Sequence, residues 1–257
     1  MRMASSLKHG LLRLLPAALR QGLRRWYHPR LVARFTPGQW PPSAGVATRV
    51  RPGDCVVDAG ANVGYVTALL AAWVGPRGRV HSFEPVPQTA ELLERSVRKL
   101  GLGQVTVHRC GVSDRTGEAR MAIPEYADGG ENLYESRVLT AGENATGREV
   151  TIPLRTLDQE LAADSGRITF MKIDVEGHEE AALTGAAATL ERNRPALLIE
   201  IMGDLDQPDS SAGRVTAFLA NRGYRPYVWA DGWRPRQAGE SAVDYFFLRD
   251  EHIGRAS

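Results

Sequence analysis

The sequence predicts an α/β fold built on a mostly parallel sheet of seven strands, with helices on both faces of the sheet. Two observations lead to this prediction. From about residue 53 onward, short apolar runs alternate with longer amphipathic runs, which is typical of parallel strands joined by helices. Polar residues recur where the predicted strands end, and in such sheets ligands bind beyond the carboxyl ends of the strands. The strand ends are therefore the positions most informative about function.

The elements follow one another along the chain in a regular order. Five core strands are predicted over 54–60, 79–85, 104–112, 167–177 and 195–202. Helices are predicted over 63–74, 87–100, 179–192 and 211–222. A closing hairpin is expected from 224–230 and 242–250, turning at Asp231-Gly232. Two additional edge strands, over 118–124 and 149–157, bracket a polar stretch.

Composition places the chain among ordinary globular proteins. It has 257 residues, of which 43% are hydrophobic and 24% charged. No run approaches 18 uncharged apolar residues, so no transmembrane segment is predicted. The two cysteines, Cys55 and Cys110, fall in predicted strands and are expected to be buried free thiols rather than a disulfide. Because there is also no secretory signal, we expect a cytoplasmic protein.

Residues 1–50 are predicted to form a basic amphipathic extension that precedes a domain over 51–250. Residues 1–53 contain ten Lys or Arg and no Asp or Glu, which leaves 22 bases against 30 acids in the rest of the chain. One helical face could carry the apolar residues and another the basic ones, which are Leu7, Leu11, Leu15 and Ala18 against Arg13, Arg20 and Arg24. Pro16 would kink or restart this helix. Three interpretations stay open: a helix packed on the domain edge, a surface within residues 1–35 that contacts anionic lipid, nucleic acid or substrate, and an organelle transit peptide.

The first predicted strand ends in an acid and leads into a glycine turn, "DAGANVGY" over 58–65. A dinucleotide-binding turn has a central glycine that makes room for pyrophosphate, but Asn62 stands at that position. Asp58 would also place negative charge beside any phosphate. A cofactor with a cationic amino group and no phosphates suits this turn better, and S-adenosylmethionine (SAM) meets that description. We therefore predict that Asp58, Gly60, Asn62, Gly64 and Tyr65 belong to a SAM site; the alternative is a tight turn capped by asparagine.

The next two strand ends add further cofactor candidates. Glu84 follows the second strand, 20 residues beyond Gly64, and a carboxylate there can accept hydrogen bonds from both ribose hydroxyls. Pro85 is assigned to the same site. Asp114, beside Ser113 after the third strand, could receive an adenine amino group, and an ordinary turn is the alternative.

The densest polar cluster is "MKIDVEGHEE" over 171–180. Lys172 and Asp174 are two residues apart on a strand and so share a face, while Glu176 and His178 occupy the turn into the next helix. A lysine inside an apolar strand is not explained by packing. Glu200 ends the fifth strand and would lie beside Asp174 if the two strands are neighbours. These five residues are the catalytic candidates.

The polar stretch 124–149 is long for a loop within a compact domain. We interpret it as a lid or an acceptor-selecting segment, because its glycines permit movement and Tyr126 and Tyr134 could stack on a sugar ring. Plain disorder is the alternative.

Taken together, several motifs resemble the FkbM-type methyltransferases. They are "VVDAGANVGY", "FEPVP", "TLDQEL", "FMKIDVEGHEEAALTGA" and "RPALLIEI", which occur in matching order between about residues 53 and 202. The resemblance implies a Rossmann-like class I methyltransferase fold, SAM as methyl donor, and O-methylation of a sugar, glycan or natural-product hydroxyl. It also implies that the glycine turn and Glu84 bind the cofactor, and that Asp174, Glu176, His178 and Glu200 line the acceptor side. It does not identify the base.

The chemistry leaves the general base open between His178, by its intrinsic pKa, and Asp174, by its position. Clustered carboxylates could instead hold a divalent metal ion, which we weigh but do not favour. The expected partner is a small-molecule, sugar or natural-product acceptor. Rival interpretations are a non-catalytic SAM-binding or interaction protein, a nucleic-acid methyltransferase that uses the basic N-terminus, and a nicotinamide-dependent oxidoreductase, which the missing central glycine disfavours.

Overall fold

A computed structural model describes residues 17–124, 132, 136–140, 142–164 and 166–254, without the side chains of 17–21 and 24. The helices are α1 Ala17–Arg34, α2 Ser43–Ala47, α3 Tyr65–Val74, α4 Pro87–Leu100, α5 Leu157–Glu160, α6 Glu179–Thr184, α7 Ala187–Asn193, α8 Ser211–Ala220 and α9 Asp250–Ile253, with a 3₁₀ turn at Pro37–Gln39. The strands are β1 Cys55–Ala59, β2 Arg79–Phe83, β3 Val105–His108, β4 Gly111–Val112, β5 Gly117–Ile123, β6 Arg137–Val138, β7 Arg148–Arg155, β8 Ile168–Ile173, β9 Ala196–Glu200, β10 Arg225–Trp229, β11 Trp233–Pro235 and β12 Asp244–Leu248.

The large sheet has the predicted α/β architecture. Its strand order is β11-β10-β12-β9-β8-β1-β2-β3, and the five strands from β9 to β3 run parallel to one another. The order reverses at β1, where the chain first builds outward to β3 and later returns to add β8 on the other side. Ligands bind at such a reversal, beyond the carboxyl ends of the strands. Here those ends belong to β1, β2, β8 and β9.

At the antiparallel edge of the sheet, the predicted hairpin has the wrong connection. The segments over 224–230 and 242–250 do pair antiparallel, as β10 and β12, but the turn at Asp231-Gly232 connects β10 to the short β11 instead. Strand β12 then inserts between β10 and β9. The sheet therefore has eight strands, the seven that the sequence predicts and β11.

A second sheet corrects the predicted edge strands. The segments over 118–124 and 149–157 form β5 and β7, which pair with each other and with β6 and β4 in the order β4-β7-β5-β6, apart from the large sheet. Strand β4 comes from the end of the predicted third strand, which divides after His108. The apolar side chains of this sheet form a small core of their own around Met121, Ile152 and Leu154.

Two cores cover the faces of the large sheet. One packs Val57, Phe83, Met171 and Ile199 against α6, α7 and α8, and the other packs Val56, Val80 and Phe170 against α3. The predicted helix over 179–192 is two helices, α6 and α7, since the chain turns at Gly185. A Cβ at Gly185 would lie 1.9 Å from the Ser113 carbonyl oxygen, so this close approach requires glycine. Both cysteines are buried and free, as predicted.

Helix α1 packs on the edge of this domain. Its Arg25 Nε lies 2.8 Å from Glu91 Oε1 on α4, and Val32 is buried. This is the arrangement expected of a helix docked on the domain edge. The residues 1–16, with Pro16 and most of the predicted apolar face, lie outside the described residues. No helix in the described part of the chain has the length and apolarity that crossing a membrane requires.

Candidate active site

A cavity of about 410 Å³ opens at the carboxyl ends of the parallel strands. Its floor is formed by the ends of β1, β2, β8 and β9, and the second sheet supplies an apolar wall through Met121, Val138, Ile152 and Leu154. Phe35 and Trp40, which follow α1, line another part. The size lies within the range of small-molecule sites.

The glycine turn is held tightly between the two strands that flank β1. The Gly60 and Ala61 amides donate to the Phe83 carbonyl of β2, and the Asp174 amide after β8 donates to the Ala59 carbonyl. Gly60 has a φ of +80°, and a Cβ there would lie 1.7 Å from the Asp174 carbonyl oxygen. Glycine is therefore required by the contact with the end of β8, a packing reason that the sequence pattern does not reveal.

Glu84 joins the cavity to the glycine turn. Its Oε2 accepts from the Asn62 amide at 3.0 Å and its Oε1 from the Val86 amide at 2.9 Å. Burial raises the pKa of Glu84 to about 7, although these two amides oppose the shift. A carboxylate has about four lone-pair positions, so the two bonds leave capacity for further donors from a ligand. Asn62 has a φ of 49°, a left-handed conformation that asparagine tolerates.

Lys172 is a buried cation beneath the turn. Its Nζ lies 2.8 Å from Asp174 Oδ2, 3.7 Å from Asp58 Oδ1 and 3.3 Å from the Gly60 carbonyl oxygen. Burial alone would lower the pKa of Lys172, but the Asp174 and Asp58 carboxylates raise it above its ordinary value. The lysine inside an apolar strand thus neutralises two carboxylates, Asp174 at the cavity floor and Asp58 behind it.

Asp58 lies behind this floor rather than in the cavity lining. It is 0% exposed, and its Oδ2 accepts from the Thr67 hydroxyl of α3 at 2.6 Å. Its Oδ1 has no hydrogen bond within the described residues and faces Lys172. The predicted contact of Asp58 with the cofactor therefore has no support from this geometry, whereas a role in holding Lys172 does.

The side of the cavity away from Glu84 is acidic. Glu176, Glu200 and Asp244 line it beside Asp174. Burial, followed by the nearby carboxylates Asp174 and Asp244, raises the pKa of Glu200 to about 7. Oxygens of Asp174, Glu176 and Glu200 lie within 4.8 Å of one another, which is close enough to hold a cation. We call Glu84, Asp174, Glu176, Glu200 and Asp244 the cavity carboxylates.

His178 is held at the start of α6 by two residues from the end of β4. Its Nε2 lies 2.9 Å from Ser113 Oγ, which lies 3.0 Å from Asp114 Oδ1. An ionised carboxylate only accepts, so the single Ser113 proton goes to Asp114 and Ser113 accepts from His178 Nε2–H. Nδ1 then carries the basic lone pair. Burial lowers the pKa of His178, with Arg115 acting in the same direction and Asp114 opposing it, so the ring favours its neutral form.

A second group of buried titratable residues lies away from the cavity, between β2, β3 and the segment around α5. Asp164 Oδ2 lies 2.8 Å from His81 Nε2, His81 Nδ1 lies 3.2 Å from His108 Nε2, and His108 Nδ1 lies 3.0 Å from Glu160 Oε2. We call these four residues the histidine chain. Burial would raise the pKa of Asp164, but the Gly166 amide, His81 and Arg79 hold it below its ordinary value. With Cys55, His81 and Asp164 also have the proximity of metal ligands, but Arg79 Nη2 already lies 2.9 Å from Asp164 Oδ1.

The structure brings most of the predicted site residues to one cavity. Those that line it are Gly60, Asn62, Tyr65, Glu84, Pro85, Lys172, Asp174, Glu176, His178 and Glu200. Gly64 lies outside the lining and forms the N-cap of α3, where a Cβ would meet Leu93 at 2.7 Å. Ser113 and Asp114 also lie outside it and bond to the His178 side, so an adenine contact for Asp114 has no geometric support.

Sequence reasoning missed the residues that reach the cavity from other directions: Phe35, Trp40, Asp244 and the wall of the second sheet. Only Asp244 had a usable signal. It begins an antiparallel strand beside β9 and is paired with Glu200, so the first residue of that strand lies at the same sheet edge as the last residue of its parallel neighbour. Tyr126 and Tyr134 of the predicted lid lie outside the described residues.

Comparison with known proteins decides the family. A family model described as the methyltransferase FkbM domain matches residues 58–226, more than half of the chain. The chain belongs to the FkbM methyltransferase family. It is thus a SAM-dependent methyltransferase, and the class I fold predicted from the resemblance is the one observed.

Individual relatives resemble the chain over spans of similar length. The 31-O-demethyl-FK506 methyltransferase FkbM of Streptomyces tacrolimicus is 29% identical over 199 residues, 68% of this chain and 74% of that protein. The hexuronic acid methyltransferase AglP of Haloferax volcanii is 26% identical over 160 residues, 61% of this chain and 59% of that protein. A crystal structure of methyltransferase FkbM from Methylobacillus flagellatus is 20% identical with a TM-score of 0.49, covering 76% of this chain but only 44% of that chain.

The residues of the cavity suit SAM. The Glu84 carboxylate, with unused lone pairs, can accept from ribose hydroxyls, and its bond to the Asn62 amide fixes it against the glycine turn. The apolar wall formed by the second sheet and Val112 suits the adenine ring of SAM. The cavity carboxylates favour the positive charge of a sulfonium compound over a pyrophosphate.

Proposed function

We propose that this enzyme transfers the methyl group to a hydroxyl oxygen of a sugar, glycan or natural product. The observation that carries the proposal is the placement of His178 and the carboxylates across the cavity from Glu84. Hydroxyl groups donate to carboxylates, so Asp174, Glu200 and Asp244 can orient a polyhydroxylated acceptor. The name of the FkbM relative above, a 31-O-demethyl-FK506 methyltransferase, supports this class. The name of the other, a hexuronic acid methyltransferase, supports a sugar acceptor but does not say which oxygen receives the methyl group.

Neutral acceptors fit this cavity better than anionic ones. Among the described residues that line it, the acceptor side presents four carboxylates against the ammonium of Lys172. A free carboxylate acceptor would be repelled by this wall, whereas a neutral hydroxyl would donate to it. The charge of the cavity therefore favours methyl ether formation over methyl ester formation.

SAM, when bound, supplies an electrophilic methyl group on its sulfonium. Glu84 would hold the ribose of SAM, and Asp174, Glu200 and Asp244 would orient the acceptor hydroxyl toward the methyl group. Positioning of this kind accounts for up to roughly 7–11 kcal/mol of barrier reduction in favourable cases. His178 Nδ1 accepts the hydroxyl proton, and the Ser113–Asp114 pair fixes the ring and stabilises the imidazolium that forms.

We propose transfer without a metal ion. Asp174 and Glu200 could bind a cation with Glu176, but the Lys172 ammonium already lies against Asp174 and supplies positive charge there. A chelator such as EDTA should then leave the initial rate unchanged. The cytoplasmic location stays a prediction from the sequence.

The test of the proposal is methyl transfer from labelled SAM to hydroxyl-bearing acceptors. Labelled product from a glycan or small-molecule fraction should keep its methyl group in alkali, as an ether does and a carboxyl ester does not. His178→Asn should lower kcat by about 10²–10⁴-fold with little change in SAM affinity. Because the pKa of His178 is lowered, the acid limb of kcat at saturating SAM and acceptor should have its midpoint below the ordinary histidine value of 6.5, and His178→Asn should remove that limb.

His252→Asn is the matched control, because this histidine is also partly buried but bonds away from the cavity, to the Arg194 carbonyl after α7 and the Arg249 amide before α9. It should keep the wild-type rate. An alkali-labile product would reject the hydroxyl acceptor, and an unchanged rate in His178→Asn would remove His178 from the mechanism. SAM that binds but is never consumed with any acceptor would favour the non-catalytic alternative.

A further inference from the structure

Helix α1 has an inner face that is fully used by the domain. Pro29 and Val32 are buried there, and the Arg25 guanidinium forms two short contacts with the Glu91 carboxylate on α4. These positions are spaced by three, four and seven residues, the spacing of one side of a helix. The opposite side of the helix is exposed in the part of the chain that the structure describes.

The outer face of α1 exposes large apolar side chains. Leu23, Trp26 and Tyr27 are 42%, 55% and 49% exposed and lie at i, i+3 and i+4. Arg30 and Arg34 continue the same line and are exposed. We use "outer face" for these five residues. Leu23, Trp26 and Tyr27 are three of the five large hydrophobic side chains that are exposed among the described residues. Single exposed residues of this kind are common, whereas a contiguous stripe marks an interaction site.

The arginine beside the aromatic stripe is held in place. The Arg30 Cζ atom lies 3.9 Å from the Trp26 ring centroid, and Arg30 Nη1 donates to the Trp26 carbonyl at 2.7 Å. The guanidinium therefore stays on the surface next to an indole. Tryptophan and tyrosine with arginine are the residues enriched where protein meets the headgroup layer of a membrane.

Charge separates this helix from the rest of the molecule. Residues 1–53 contain ten Lys or Arg and no acid, whereas the remaining sequence has an excess of acids. An anionic surface would therefore attract the α1 side of the protein and repel the other sides, which orients the molecule. Residues 1–16 add three bases and five leucines of sequence to the same end.

We propose that the outer face of α1 is a docking surface for an anionic phospholipid membrane. The stripe is too apolar for a nucleic-acid contact, which would need a denser array of Lys and Arg side chains along the phosphates. Phe35 follows α1 directly, lines the cavity and packs on Tyr65 with ring centroids 4.8 Å apart. A docked helix thus holds the cavity beside the lipid surface. Only the consequence that acceptors reach the enzyme at that surface rests on the proposed function.

The experiment measures partition of the full-length protein onto vesicles by flotation, with no acceptor or SAM present. Vesicles of phosphatidylcholine with about 30% phosphatidylglycerol should bind the protein at low salt, and pure phosphatidylcholine should bind at least about tenfold less. Added salt should weaken the binding because it screens the charges. Brominated lipids should quench part of the tryptophan fluorescence, and Trp26→Phe should remove most of that quenching.

Two variants test the two components of the surface. Trp26→Ala/Tyr27→Ala should lower the partition coefficient by about tenfold or more, because it removes most of the apolar area that would enter the interface. Met202→Ala, at another exposed apolar residue (73% exposed), should have no effect. Arg30→Glu/Arg34→Glu should lower anionic binding by about tenfold to a hundredfold. Arg77→Glu/Arg192→Glu, at exposed positions outside α1, changes the net charge equally and should preserve binding.

SAM affinity, measured by calorimetry, should be the same in all these variants and so shows that each one folds. Equal binding to neutral and anionic vesicles, no binding to either, or binding that survives Trp26→Ala/Tyr27→Ala would overturn the proposal. Concentration-dependent dimerisation lost in that variant, without vesicle binding, would instead assign the outer face to a second copy of the chain. None of these readings depends on methyl transfer.

Discussion

The cavity carboxylates and the histidine chain are two groups of buried or half-buried titratable residues with opposite electrostatic character. In the histidine chain, burial of Asp164 is outweighed by an amide, a histidine and an arginine, and its pKa falls below the ordinary value. In the cavity, Glu84 and Glu200 lack enough compensation, and burial raises the pKa of each to about 7. The histidine chain satisfies its own hydrogen bonds, whereas Glu84 in the cavity keeps lone pairs for a ligand beyond its two amide bonds. Perturbed carboxylates of the second kind are typical of functional sites.

The largest effect is expected where the cavity does provide a counter-charge. Lys172→Met should lower the free energy of unfolding by roughly 3–5 kcal/mol, because it leaves the fully buried Asp58 without a cation. Urea denaturation measures this loss. Asp58→Asn in the same protein should recover much of it, and Lys99→Met, at an exposed lysine of α4, should change stability by less than about 0.5 kcal/mol. A small loss in Lys172→Met would mean that water reaches Asp58.

Breaking the histidine chain should cost less and should not affect the ligand. His81→Asn removes bonds to Asp164 and His108 and should lower stability by about 1–3 kcal/mol, since partly buried polar atoms lose partners. SAM affinity by calorimetry should stay within twofold of the wild-type value, because His81, His108 and Asp164 all lie outside the cavity lining. Weakened SAM binding would show that the two groups are coupled through β2.

Glu200→Gln should give the smallest change, and it should be a gain. A folded-state pKa of about 7 against an ordinary value of 4.5 means that ionisation of Glu200 costs stability as pH rises from 4.5 through 7. The variant should therefore be more stable than the wild type at pH 8, by about 1 kcal/mol after allowance for its partial exposure, and not at pH 4.5. Glu118→Gln, at an exposed glutamate of β5, is the control. Equal effects at both pH values would contradict the raised pKa.

The sequence predicts the parallel half of the sheet well because each of those strands is a short apolar run with a polar end. Glu84, Asp174 and Glu200 could each be placed at the carboxyl end of a strand from that pattern alone. The sequence does not predict which sheet a strand joins. The apolar alternation of β5 and β7 is the same whether they extend the large sheet or form a second one, so the apolar wall was missed.

Side-chain direction was the other unpredictable feature. Asp58 ends a strand like Glu84, yet Thr67 and Lys172 turn its carboxylate into the interior. Thr67 is nine residues away on the following helix and Lys172 is far away in the sequence, and no local pattern identifies either as the partner of Asp58. The same holds for Ser113, whose bond to His178 joins residues 65 positions apart. Chemistry-bearing positions are therefore readable from the sequence, but their partners require the fold.

The most direct test of the account compares the same substitution in the two groups. Glu84→Gln leaves one oxygen for two backbone amides and removes the charged acceptor for ribose, whereas Glu160→Gln alters a carboxylate bonded to His108 away from the cavity. Calorimetry at pH 8 should show the Kd for SAM rising by about tenfold or more in Glu84→Gln and by less than twofold in Glu160→Gln. Wild-type SAM affinity in Glu84→Gln, or equal losses in the two variants, would contradict the placement of the cofactor at the carboxyl ends of β1 and β2.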